Sequence, residues 1–103
     1  MNKQISTLIR MGKIPNDKDM YDDLFNKYDE LIQIEEDITW EEAESIITLF
    51  SDDCDDLNWG LIHMIETVLK SKNDVEKYKE LINKCNSDEY KELLLVRLDN
   101  WLK

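Results

Sequence analysis

Apolar residues recur along this chain at intervals of three and four almost from end to end, the spacing that turns one face of an α-helix toward a core. Only two glycines and one proline accompany them, too few for the tight turns that a sheet of short strands needs. Both features point to helices joined by short polar loops. Charged residues make up 36% of the chain, a share that can signal disorder when aromatics are few. The periodic apolar positions outweigh that signal, and 103 residues give room for one domain with one core.

A first helix is expected from about Lys3 to Met11, with Ile5, Leu8 and Ile9 inward. Gly12 and Pro15 end it, since the proline ring disfavours helix at Ile14. A second is expected from about Asp17 to Glu36, with Met20, Leu24, Tyr28, Leu31 and Ile32 as its stripe and Tyr21 and Phe25 beside them. Thr39-Trp40-Glu41-Glu42 has the capping-box form and opens a third helix, with Trp40, Ala43, Ile46, Ile47 and Phe50 on one face. After the Asp-rich segment from Ser51 to Asp56, a fourth helix runs from about Asp56 or Leu57 to Lys70. Asn73 or Asp74 caps a fifth that turns Val75, Tyr78, Leu81, Ile82 and Cys85 inward. Ser87 caps a sixth carrying Leu94, Leu98, Trp101 and Leu102. Loops of about two to six residues make these antiparallel neighbours. The expected fold is all-α: a single domain over residues 1–103, built as a bundle or a short stack of helical hairpins.

Charge is unevenly placed. Between Asn16 and Asp56 sixteen acidic residues stand against Lys18 and Lys27, a net of −14, whereas the rest of the chain has eleven basic and eight acidic residues, a net of +3. Such an asymmetry argues against nucleic acid as a direct ligand, because phosphates require the opposite sign. It suits a basic partner, whose approach the field would steer, or it serves solubility alone.

Cys54 and Cys85 are lone thiols without Cys-x-x-Cys spacing, and a reduced, cytosolic pair is the expectation. The opening stretch, with Ile5-Ser6-Thr7-Leu8-Ile9-Arg10, is too short and interrupted for a signal peptide, and nothing downstream is apolar enough to span a bilayer. The chain is expected in the cytoplasm, without membrane contact and as a monomer.

Catalytic constellations are hard to find. His63 is the single histidine, and no Gly-x-Ser-x-Gly, phosphate-binding glycine loop or His-Glu-x-x-His occurs. Placing Asp55 first in a calcium loop puts Gly60 sixth and Glu66 twelfth, but Leu57 and Trp59 then occupy the third and fifth positions, where oxygen ligands are required. His63 and Glu66 lie one turn apart, in the reverse of the order a di-iron site uses, and only once. The expectation is a protein that is not an enzyme and holds no cofactor and no metal.

The fourth helix has an unusual layout. Leu57, Leu61, Ile62, Met64, Ile65, Val68 and Leu69 cover one broad face, and Trp59, His63, Glu66 and Lys70 gather on the opposite side. Either this helix is buried on both sides, or Trp59 and His63 meet a partner. For His63 burial beside a neutralising Glu66 is the expectation, and for Trp59 both readings stand.

Three segments carry a family resemblance. Glu42-Ala43-Glu44-Ser45-Ile46-Ile47-Thr48-Leu49-Phe50 leads into the Asp-rich loop, Trp59-Gly60-Leu61-Ile62-His63-Met64-Ile65-Glu66 follows it, and Leu93-Leu94-Leu95-Val96-Arg97-Leu98-Asp99-Asn100 closes the chain. Together they resemble the immunity protein 30 family of bacterial polymorphic toxin and contact-dependent inhibition systems, over about half the chain; the first 38 residues lie outside the resemblance. It implies an antidote that binds the C-terminal domain of a cognate secreted toxin, often a nuclease with a basic cleft, where an acidic inhibitor takes the place of phosphates. The candidate partner-binding residues are Asp52, Asp53, Asp55 and Asp56 on a loop free to enter a cleft, with Trp59 as anchor and Glu35, Glu36 and Asp37 from the same acidic half. Trp59, His63 and Glu66 form the family-like motif. The alternative is a non-catalytic helical adaptor or regulatory protein that binds a bacterial protein partner through a groove.

Overall fold

Short polar side chains set three of the six helix starts among the described residues. In the computed structural model, which describes residues 2–34 and 36–103, the Asn2 carboxamide accepts the Gln4 and Ile5 amides and opens α1 (Lys3–Met11). Thr39 and Glu42 form the expected reciprocal box at the start of α3 (Trp40–Ile46). Ser87 accepts the Tyr90 amide and opens α6 (Asp88–Leu102). Between them lie α2 (Asp22–Ile32), α4 (Asp55–Glu66) and α5 (Val75–Ile82), with single 3-10 turns at Asp17–Asp19 and Lys72–Asp74. The protein is all-helical, with no strand among the described residues. Gly12 ends α1 at φ +80°, a conformation in which a Cβ would be strained, and its amide reaches Ile9 O.

Sequential helices pair: α1 with α2, α3 with α4, and α5 with α6. Across these pairs α1 meets α3 and α2 meets α4, the arrangement of a short stack of hairpins. The broad apolar face of α4 supplies the centre, with Leu57, Leu61, Ile62, Met64 and Ile65 buried among Ile46, Phe50, Tyr78 and Ile82 in one core. Burying each such side chain stabilises the fold by about 1.5–3 kcal/mol relative to exposure. At Gly60 α2 and α4 approach closely, since a Cβ there would clash with Cγ2 of buried Ile32.

The second helix is shorter than the periodicity predicts. Met20 and Tyr21 are extended, so the Asp17–Asp19 turn is separate from α2, and Tyr21 is 63% exposed instead of joining the stripe. The Asp17 amide donates to the Asp53 carboxylate at 2.8 Å, which fixes the turn against the loop before α4. At its other end α2 stops at Ile32, ahead of the run Glu35-Glu36-Asp37, whose charge the negative end of a helix dipole disfavours. The fourth helix ends at Glu66 and not Lys70, because the Thr67, Val68 and Leu69 amides switch to acceptors three residues back. The Thr67 hydroxyl donates to Met64 O at 2.7 Å and accepts the Ile38 amide at 3.2 Å.

Candidate functional site

The acidic loop is a framework, and its centre is two buried polar residues. The Asn58 carboxamide accepts the Ser51 amide at 2.8 Å and donates to the Ser51 carbonyl at 3.0 Å. The Ser51 hydroxyl donates to Pro15 O and accepts the Asp53 and Cys54 amides. Asn86 makes the same kind of paired contact with Phe50 N and O, and the Phe50 ring stacks on Tyr90 at 5.0 Å. Neither Ser51 nor Asn58 carries an obvious sequence signal, because each is a polar residue whose burial depends on distant chain.

This framework changes the reading of the four aspartates. All four are exposed, yet three already have partners within the protein. Asp52 pairs with Lys13 at 2.9 Å, Asp53 caps the Asp17 amide, and Asp55 accepts the Tyr90 hydroxyl. The loop is therefore held in place and is not free to swing into a cleft. Burial, and after it the bond to Asp55, push the Tyr90 hydroxyl up to about 12, so it stays a donor. Asp56 faces the surface at the rim of a hollow between α2 and α4. Of the other candidates, Glu36 is exposed, Asp37 forms an ion pair with Lys70, and Glu35 lies outside the described residues.

Of the fifteen described acidic side chains in the Asn16–Asp56 segment, thirteen are exposed. Lysines from outside the segment meet three of them, in the pairs Lys13–Asp52, Lys70–Asp37 and Lys84–Glu44. Glu42 is the buried member. Besides its box with Thr39 it accepts the Asn2 amide at 3.0 Å, joining the starts of α1 and α3. Burial raises its pKa, but the hydrogen bonds from Thr39 and Asn2 outweigh burial and hold it below the usual carboxylate range.

On the outer side of α4 the expectation for His63 is overturned. His63 is exposed, and Trp59 is 39% exposed with its ring 6.2 Å from the imidazole. Glu66 does not neutralise His63. It takes both hydrogen bonds of a bidentate pair with Arg97 of α6, each 2.8 Å, and the Arg97 guanidinium also lies 5.3 Å from the Trp59 ring centre. The Glu66 bonds raise the Arg97 pKa further. Arg97 sits on the inward stripe of α6 with Tyr90, Leu94 and Leu98, and an arginine in such a stripe is the signal that could have found it. With α4 buried on its broad face only, Trp59 and His63 belong to the surface.

Two hollows flank this side. One of about 480 Å³ lies between α2 and α4, and one of about 170 Å³ lies between Glu66, Tyr78, Arg97 and Trp101. The outer face of α6 leaves Leu95, Val96 and Leu102 exposed. Cys54 and Cys85 are free and buried, and burial pushes the Cys54 thiol up to about 11. Among the described residues no three His, Cys, Asp or Glu side chains gather as metal ligands, and no helix is long and apolar enough to cross a membrane. Comparison with protein-family models, with curated proteins and with solved structures finds no match.

Proposed function

We propose that this chain is a cytoplasmic immunity protein, an antidote that binds the C-terminal toxin domain of a cognate secreted bacterial toxin, a basic nuclease, through its acidic surface. The observation that carries this reading is the outward display of thirteen carboxylates along Asn16–Asp56, with Asp52, Asp53 and Asp55 held by partners within the protein. Such a field speeds the encounter with a basic cleft, and the held aspartates lose little side-chain freedom when the protein docks. The protein performs no chemistry in this reading and takes no cofactor.

The reading requires a neighbouring gene for a large secreted protein with a variable C-terminal domain, and a different neighbourhood would overturn it. Co-expression with that domain supplies the functional assay. Asp52 and Asp56 are the pair to reverse to Lys, because Asp53 and Asp55 hold the fold together and the exposed Asp52–Lys13 pair contributes little to stability. Lys72 and Lys79 reversed to Glu are the control, since Lys77 lies over the Trp40 ring. Loss of protection with the Asp pair, by about 2–5 kcal/mol of binding where the charges are desolvated, is the expected result. Protection retained by the Asp pair and lost by the Lys pair would make the acid a solubility device.

A second reading has its own support in the exposed Leu95, Val96 and Leu102 of α6. An apolar helix face of this kind suits a helical adaptor or regulatory protein, whose binding would be insensitive to salt.

A further inference from the structure

The hollow between α2 and α4 differs from the rest of the acidic surface in having a floor. Buried Ile32 and Met64 form it with Gly60, whose missing side chain lets the two helices meet there. Trp59 makes one wall, and the carboxylates of Asp29 and Asp56 stand at opposite helices. Among the described residues no lysine or arginine lines it, and exposed His63 is its one imidazole. The nearest guanidinium named above, Arg97 over the Trp59 ring, is already neutralised by its bidentate bond to Glu66. Asp29 spends one oxygen on the Gln33 side chain at 3.0 Å. At about 480 Å³ the hollow is within the roughly 300–1,000 Å³ of sites that enclose a ligand group.

Apolar floor, aromatic wall and two carboxylates are together complementary to one kind of side chain: a long apolar stem with a planar cationic head. An anion would meet two like charges there, and a purely apolar group would leave both carboxylates facing it. We propose that this groove is the anchoring pocket for an arginine of a basic protein partner, its stem on Ile32, Gly60 and Met64, its guanidinium toward Asp29 and Asp56, and its plane beside Trp59. The inference rests on the reading above for the partner's charge, and it converts a diffuse electrostatic surface into one with a central hot spot.

The test uses the full chain and does not require the toxin. The ¹⁵N-labelled protein is titrated, at fixed ionic strength, with the blocked peptide acetyl-Gly-Ser-Arg-Ser-Gly-amide and with matched peptides carrying citrulline or lysine in place of arginine. Saturable shifts are expected in the amides of residues 29–34 and 56–67 and in the Trp59 indole, with a dissociation constant on the order of 1 mM. Citrulline should give none, and lysine should bind more weakly. Asp29→Asn with Asp56→Asn should weaken arginine binding about tenfold or more, whereas Glu76→Gln with Glu80→Gln removes as much charge and should leave it unchanged. The amide spectra report whether each variant is folded. Shifts spread over all carboxylates, equal shifts with citrulline, or no saturable shift with arginine would each overturn the pocket. Saturation in the groove without protection in co-expression would sink the toxin reading and leave the pocket standing. Full protection by the Asp29→Asn, Asp56→Asn chain would do the reverse.

Discussion

The two sides of α4 use similar residues for opposite purposes. At its N-terminal approach, from Ser51 to Asn58, three of four aspartates are tied into the fold, Asp52 by Lys13 and Asp53 and Asp55 by accepting from Asp17 and Tyr90. On its outer middle, Trp59 and His63 are exposed, although an aromatic ring and a lone histidine are the residues more often found inside. Composition would assign the aspartates to the surface alone and the histidine to the core. What decides is the availability of partners: the loop finds Asn58, Tyr90 and Lys13 within reach, whereas Arg97 takes Glu66 and leaves His63 facing outward.

The largest effect expected on this contrast comes from the centre of the frame. Asn58→Ala leaves the buried Ser51 amide and carbonyl without partners and should cost about 3 kcal/mol. Urea unfolding would read this as a lower midpoint at unchanged slope; a loss under about 0.5 kcal/mol would mean that the loop is not held by Asn58. Arg97→Ala comes next, at about 1–2 kcal/mol, because Glu66 is partly buried and loses both hydrogen bonds while the Trp59 ring is uncovered. Arg97→Lys should recover only part of it, since a lysine cannot make the bidentate contact. Equal stability of the Lys variant and the original chain would show that charge alone matters at this position.

Glu42 supplies a carboxylate that belongs wholly to the frame side of the comparison. Its folded pKa is lowered, so its contribution is fully present above the unfolded value of about 4.3 and is lost as pH falls through the folded value. Glu42→Gln should cost about 1 kcal/mol at neutral pH, the usual size of a cap. Its stability should then fall less steeply than the original chain's as the solution is acidified below about pH 4.3. Parallel acid-unfolding curves for the two chains would remove Glu42 from the pH dependence. The smallest effect is expected at His63→Ala, within about 0.5 kcal/mol by thermal unfolding, as for an exposed side chain. A drop of several kcal/mol there would restore the buried histidine.

The starts of α1, α3 and α6 and the inward stripe of α4 were readable from the sequence. The Thr39–Glu42 box and the caps at Ser87 and Gly12 depend on residues within four positions of one another, and so does the 3.6-residue spacing that buries Leu57, Leu61, Ile62 and Ile65. The start of α2 was not, because the break at Met20 and Tyr21 accompanies a bond from Asp17 to a carboxylate 36 residues away. The site was least legible of all. Tertiary structure alone brought Arg97 to Glu66 across 31 residues, Asp55 to Tyr90 across 35, and Ile32 against Gly60 to floor the groove beside Asp29. Local sequence fixes which hydrogen bonds and apolar faces a helix presents. Whether a given carboxylate, histidine or tryptophan ends inside or outside depends on which remote side chain arrives to satisfy it, and that is settled only when the hairpins stack.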